Sequence, residues 1–380
     1  MLPTIQTDSL MLGILGVTLA SVHFGFPSCY YLHAKTNWLE KGWGFKNDPK
    51  YRPKISVIIP AFNESAMIKE RLDNLVRQDY PKDHFEIIVS DDGSVDETVQ
   101  IVEKWTNANS KKDGFRPRIV RNSTRQGKIH ALQSALEQVD PDSVAVVFTD
   151  ADAFWERESL GALVSYLADS SVGAVCGSIA YIGETIKLDE DVYRDYYNVL
   201  RVAESKVHST PNHNGQLMAI RTEILRRIGL PNFRGSDDSA FGSMVAFAGY
   251  RAIQVDDAFV REPFRGSQVR RKIMRAQLLQ LNFLKTKRYA RATGILTKSA
   301  FDRIWRIELW LHLINPWLLV ASIVLLGLAA SLGSFWALVL LALGVVPLIT
   351  RTYRMWILQQ FYLLAAATRT LLTGKVKWPR

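Results

Sequence analysis

From Ile55 to Cys176 the chain alternates short, nearly unbroken apolar runs with stretches whose apolar residues recur every three or four positions. "ISVIIPAFNE" is an apolar run closing in a Pro-turn and a polar pair, the pattern of a strand buried on both faces. "SAMIKERLDNLVRQDY" then carries a helical period. "FEIIVSDDGSVDETVQIVEKW" repeats the scheme, with a strand at Ile87 to Val89, Asp91 and Asp92 at its end, and Ser94 followed three residues later by Glu97. That spacing predicts a capping box at the start of the next helix. Arg118 to Arg121, Val144 to Phe148 and Val172 to Cys176 are further strand candidates. Strands alternating with helices predict an α/β domain with a mainly parallel sheet.

The flanks follow a different pattern. Leu10 to Leu32 is 23 residues without Asp, Glu, Lys or Arg, enough at ~1.5 Å per residue to cross a ~30 Å hydrocarbon core. No Lys or Arg precedes the run, and it is too long for the apolar part of a signal peptide. Trp310 to Leu332 is again 23 uncharged residues, and Phe335 to Thr350 follows after Gly333 and Ser334, which predicts a helical hairpin through the bilayer with Trp310, Trp317 and Trp336 at its interfaces. Met355 to Thr368 contains Gln359 and Gln360 between basic flanks and predicts an interfacial helix. Lys35, Lys41, Lys46, Lys50, Arg52 and Lys54 follow the first span, so the middle region is expected on the cytoplasmic side of a multi-pass protein of the cell membrane.

Composition changes the picture in two places. The net charge of +10 is carried entirely by Arg261 to Glu308, where 13 Lys and Arg face 3 Asp and Glu. A surplus confined to a segment just before an apolar run suits lipid headgroups or a phosphate-bearing substrate, and nucleic acid is not expected as a partner. Interfacial helices are predicted there. Cys29 and Cys176, the only cysteines, have no metal-like spacing and suggest no disulfide framework. The expected organisation is a spanning helix at 1–34, a catalytic domain at 35–260, basic interfacial helices at 261–308, a membrane hairpin at 309–351 and a terminal interfacial helix at 352–380.

The chemistry lies at strand ends, where open α/β sheets bind ligands. "VVFTDADAF" puts Asp150 and Asp152 just past a strand, and Asp150 suits a turn or a helix cap. Together they also suit Mg²⁺ or Mn²⁺, which takes hard oxygen ligands and often uses one or two carboxylates plus substrate phosphates. Neither a Gly-rich dinucleotide motif after a strand nor a P-loop occurs.

"IIPAFNE", "SDDGS", "RQGKIHAL", "TDADA", "GSDDS" and "QVRRK", in that order, resemble the motif series of the family 2 inverting glycosyltransferases with a GT-A fold, over about Lys54 to Lys272. The spans resemble the branch of cellulose, hyaluronan and chitin synthases. The resemblance implies that Pro60, Ala61, Asn63, Glu64 and Asp92 hold the nucleotide of a sugar donor, with UDP expected because a carboxylate accepts the N3–H of uracil. It implies that Asp150 contacts the donor, Asp152 ligates Mg²⁺ or Mn²⁺, and Lys128 offsets charge on the departing diphosphate. Asp238, with Asp237 beside it, is the implied general base for the acceptor hydroxyl, and Gln268 and Arg271 match the acceptor-side motif. The implied activity is transfer of a sugar to a lipid or short glycan acceptor among membrane lipids; a processive polysaccharide synthase and a non-catalytic nucleotide-sugar sensor are the alternatives. Lys272 stands where processive synthases carry a Trp that stacks on the growing glycan, and a Lys offers no such platform. Product sizing should therefore show short additions, and a ladder of long polymer from the purified chain would contradict this.

Overall fold

A computed structural model describes residues 3–113, 117–182, 189–233, 235–263 and 269–373. Its strands are β1 (Ile55–Ala61), β2 (Phe85–Asp91), β3 (Arg118–Arg121), β4 (Ala145–Phe148), β5 (Phe154–Trp155), β6 (Val172–Ile182), β7 (Met218–Arg221) and β8 (Arg251–Pro263). They form one sheet in the order β3-β2-β1-β4-β7-β6-β8-β5. β1 to β4 pair in parallel, β7 runs antiparallel to both β4 and β6, and β8 is parallel to β6. The helices are α1 (Pro3–Asn37), α2 (Ile68–Val76), α3 (Thr98–Asp113), α4 (Lys128–Leu136), α5 (Ser159–Ser165), α6 (Asp189–Val207), α7 (Thr222–Ile228), α8 (Asp237–Phe247), α9 (Val269–Ala292), α10 (Phe301–Leu313), α11 (Asn315–Ser331), α12 (Phe335–Val345) and α13 (Arg351–Thr373).

β1 is apolar throughout because both faces are covered. Ile55, Val57 and Ile59 pack with Ile68, Leu72 and Leu75 of α2, while Ile58 faces Leu132 of α4 and joins a layer that reaches Phe247, Phe283 and Trp305. The expected α/β class with a mainly parallel sheet is observed, and the antiparallel strands β5 and β7, together with β8, are additions that the periodicity did not expose. The predicted capping box does not form. The Ser94 hydroxyl instead accepts the Asn63 N–H at 2.9 Å, and Asp96 Oδ1 accepts the Thr98 N–H at 3.0 Å at the helix start.

One described helix, over Thr7–Asn37, is by itself long and apolar enough to cross a membrane. The predicted hairpin is present as α11 and α12, but neither meets that length alone. α10 and α11 bend by 40° at Ile314, and the apolar helix ending at Ile349 bends by 110° into α13. Pro316 has no N–H to give the His312 carbonyl, which accepts from the Gln280 side-chain amide at 3.0 Å instead, and this accounts for the first break. α13 is longer than the interfacial helix predicted from Met355 to Thr368 and packs on α9 and α6. The basic segment is also more embedded than expected: Met274, Phe283 and Ala290 of α9 are buried, α9 contacts α8 and α13, and Lys287 pairs with Asp302.

Polar contacts lock the apolar helices together. Pro27 has no N–H to give the His23 carbonyl, and the Asn315 side-chain amide donates to that carbonyl at 3.4 Å. Trp356 Nε1–H donates to His23 Nε2 at 3.2 Å, so the other ring nitrogen carries the proton and Nδ1–H donates to the Asn315 carbonyl at 2.9 Å. Nearer the sheet, Tyr30 Oη–H donates to Glu204 Oε1 at 2.7 Å, tying α1 to α6. His23→Leu removes the two ring contacts and should cost roughly 1–2 kcal/mol of thermal stability in detergent. A shift in melting temperature no larger than that of an exposed apolar substitution would contradict the locking role.

Candidate active site

The loop after β1 and the loop after β2 hold each other through reciprocal bonds. Asn63, at φ 56°, has the left-handed backbone that Asn tolerates; its N–H goes to Ser94 Oγ and its Oδ1 accepts the Val95 N–H at 3.0 Å. The Glu64 N–H donates to Thr98 Oγ1 at 2.8 Å. Pro60 and Ala61 are the last residues of β1, so all four predicted donor-loop residues sit at one strand end. The Arg125 guanidinium lies 4.1 Å from the Phe62 ring centroid above this loop.

Asp92 is nearly fully buried, and its carboxylate gathers a third loop. Oδ1 accepts the Gln126 N–H at 2.9 Å and Oδ2 accepts the Gly127 N–H at 2.7 Å. The sequence did not suggest this anchoring role. Gly127 has φ 102°, a conformation suited to Gly, and the turn it makes starts α4 with Lys128. Lys128 Nζ then reaches Asp150 Oδ1 at 2.9 Å. With 39% of the Lys128 side chain exposed, solvent screens this ion pair. Burial would depress the Lys128 ammonium, but Asp150, Asp238 and Asp237 outweigh it and hold its pKa above the ordinary value.

Asp150 and Asp152 follow β4, and behind them is a cation that the sequence reading missed. Arg71 of α2 is fully buried and donates through Nη2 to Thr149 Oγ1 at 2.8 Å. Its charge is opposed by burial and supported by Asp150 and Asp152. The signal was legible: Ile68, Arg71, Leu72 and Leu75 fall on one apolar stripe of α2, where an Arg is out of place unless it has partners.

Asp237 and Asp238 occupy the first turn of α8, after Ser236. Pro60, Lys128, Thr149, Gly215, Asp237 and Asp238 line a single small pocket. Gly215 is needed there because a Cβ would approach Asp238 Oδ1 to 2.1 Å. Burial pushes the Asp237 carboxyl up to about 6, with Lys128 pulling it down and Asp238 and Asp150 pushing it up. Burial likewise raises Asp238, against Lys128 and the Gly215 N–H, with Asp150 adding to the rise. A raised pKa in a cleft is what a carboxylate base needs to take a proton near neutral pH. Arg271 lies in the first turn of α9, and Lys272 places its ammonium 5.7 Å from the Tyr362 ring centroid. Gln268 lies outside the described residues.

Among the described residues no group of three or more His, Cys, Asp or Glu could hold a metal ion. The hard oxygens of Asp150 and Asp152, one already paired with Lys128, do fit a Mg²⁺ or Mn²⁺ ion that draws its remaining ligands from a diphosphate and water.

A mixed, mostly parallel sheet with donor loops at its edge, a paired-carboxylate motif and an acidic helix start is a GT-A-like glycosyltransferase architecture. Residues 56–229 match Glycosyl transferase family 2. A mannosyltransferase from Pyrobaculum calidifontis, PcManGT, solved in complex with GDP-Man and Mn²⁺, is 39% identical, covers 96% of this chain and 100% of its own, and superposes with a TM-score of 0.83. The probable glycosyltransferase YdaM of Bacillus subtilis is 31% identical over 51% of this chain and 47% of its own length. Poly(ribitol-phosphate) β-N-acetylglucosaminyltransferase TarS of Staphylococcus aureus is 39% identical over 28% of this chain and 18% of its own. The matched region thus spans less than half of these two relatives. The chain belongs to glycosyltransferase family 2 and is an enzyme of that class.

The raised carboxyls give a stability prediction. A carboxyl whose folded pKa lies above its unfolded value binds its proton more tightly when folded, so stability is lost as pH rises through the folded pKa. Asp237→Asn should raise the melting temperature at pH 8, with the advantage fading from about pH 6 downward as the native carboxyl protonates. A pH-independent difference in melting temperature would contradict the burial argument.

Proposed function

We propose that this enzyme is a membrane-held inverting transferase that moves one sugar from a nucleoside diphosphate donor to a lipid or short glycan at the cytoplasmic face. The observation that carries the reading is the convergence of Lys128, Asp237 and Asp238 on one pocket at the strand ends, with Asp150 ion-paired to Lys128. Pro60, Ala61, Asn63 and Glu64 cradle the nucleoside from the β1 loop, while Asp92 presents Gly127 and Lys128 to the diphosphate. A bound Mg²⁺ or Mn²⁺ would act as a Lewis acid on the departing diphosphate, held by Asp152 and Asp150. Asp238 accepts the acceptor hydroxyl proton as its oxygen bonds to the anomeric carbon and the bond to the diphosphate breaks. Lys128 offsets the charge that collects on the leaving group. Gln268, Arg271 and Asp237 complete the acceptor side.

Two observations bear on the donor class. Both Asp92 oxygens are engaged by main-chain N–H groups, which weakens the case for a uracil-reading carboxylate. The likeness to a structure holding GDP-Man supports GDP-mannose as the first donor to test. Three membrane passes require each bent helix pair to act as one span; the long apolar helix Thr7–Asn37 and the basic residues after it support at least one, with the catalytic domain in the cytoplasm.

Purified enzyme with Mn²⁺ and membrane lipid extract should release nucleotide from GDP-mannose or from one of a panel of UDP-sugars, with a single added sugar by mass. Asp238→Asn should cost on the order of 10²–10⁴ in rate while keeping donor affinity, whereas Asp152→Ala should lose metal-dependent donor binding. Equal loss of donor affinity in both variants would contradict this division of roles, and no release from any donor would overturn the reading.

A further inference from the structure

Resting on that reading, we propose that Arg71, acting through Thr149 and the main-chain carbonyl of Gln216, holds the donor loop and the base loop at one fixed separation and is a positioning residue for the displacement. A buried guanidinium is costly unless its donors are used; here both terminal nitrogens are bonded, and Nε is left without a hydrogen-bond partner among the described residues. Nη2 bonds the Thr149 hydroxyl, Nη1 bonds Asn74 Oδ1, and the guanidinium carbon lies 4.1 Å from the Trp155 ring centroid. Asn74 also grips the Trp155 main chain, accepting its N–H at 3.0 Å and donating to its carbonyl at 2.9 Å. Helix α2 therefore holds the residue just before Asp150 and a residue just beyond Asp152.

The same two residues reach across to the base. The Thr149 hydroxyl, having accepted from Arg71, donates to the Gln216 carbonyl at 2.9 Å, and Trp155 Nε1–H donates to that carbonyl at 2.8 Å. The two bonds fill the lone pairs of the oxygen and leave the 215–216 main chain little freedom. Gly215 lies directly against the Asp238 carboxylate and donates its N–H to it. Donor side and base side are thus joined by a short chain of hydrogen bonds with one node, the Gln216 carbonyl. Inverting displacement requires the acceptor oxygen to approach opposite the leaving diphosphate, so the separation of the two sides is the quantity that matters, and an error of about 1 Å can cost about 10²-fold in rate.

The test is a double-mutant cycle on the full chain. Thr149→Val keeps the shape and removes the relay hydroxyl; it should lower kcat by about 10²-fold while leaving the donor KM, and Mn²⁺ binding measured by paramagnetic resonance with GDP as probe, within about threefold. Thr149→Ser should recover at least about tenfold of the loss, and Arg71→Lys, which keeps the charge and loses the fork, should behave like Thr149→Val. In an Asp238→Asn background Thr149→Val should cost little more, because the base it positions is already gone. An equal cost in both backgrounds, or a loss confined to KM or melting temperature, overturns the inference and makes the network a stabilising one. A wild-type chain that turns over while the variants keep its kcat overturns this inference alone. A wild-type chain that turns over no sugar nucleotide overturns the functional reading, and this inference with it.

Discussion

Bringing several carboxylates to one edge of a sheet without letting them repel each other apart is the constraint on which this structure turns. Asp150, Asp237 and Asp238 bring like charges together in a half-buried cleft, where they repel one another. Lys128 answers from the front through its ion pair with Asp150, and Arg71 answers from behind, wholly buried. The placement of Lys128 depends in turn on Asp92 gathering the main chain of Gln126 and Gly127. One charge problem thereby sets three loops and the start of two helices. It also leaves Asp237 and Asp238 with raised pKa values, the condition in which a carboxylate can act as a base near neutral pH.

The region next to the apolar helices meets a related problem with different partners. Glu204 of α6 and Glu308 of α10 are both buried. Burial first, and then its neighbour Glu308, raise the Glu204 carboxyl well above the usual range. Tyr30 and Thr210 hydroxyls donate to Glu204, and the Asn212 amide donates to Glu308 at 3.1 Å. These bonds join α1, α6 and α10 to the 210–216 segment that ends against Asp238. The catalytic pocket and the apolar helices are therefore mechanically continuous, with Gly215 at the end of the connection.

Much of this was legible along the chain because it depends on local pattern. Nearly unbroken apolar runs, helical stripes between them and acidic residues at strand ends suffice to predict an α/β sheet with chemistry at one edge. A run of 23 uncharged residues near the start marks the one helix, among the described residues, that is long and apolar enough to span a membrane unaided. Tertiary contacts decided the rest. Asp92 reads as a ligand-binding carboxylate, yet its oxygens are captured by main-chain groups more than thirty residues away, which no periodicity reports. The hairpin predicted from composition is bent at Ile314 and after Ile349, since hydropathy records whether a segment can be buried and leaves the direction of its axis open. Arg71 shows the boundary most clearly: its place on an apolar stripe was visible in the sequence, but its role depends on Thr149, Trp155 and Gln216, which only folding brings within hydrogen-bond distance of one another.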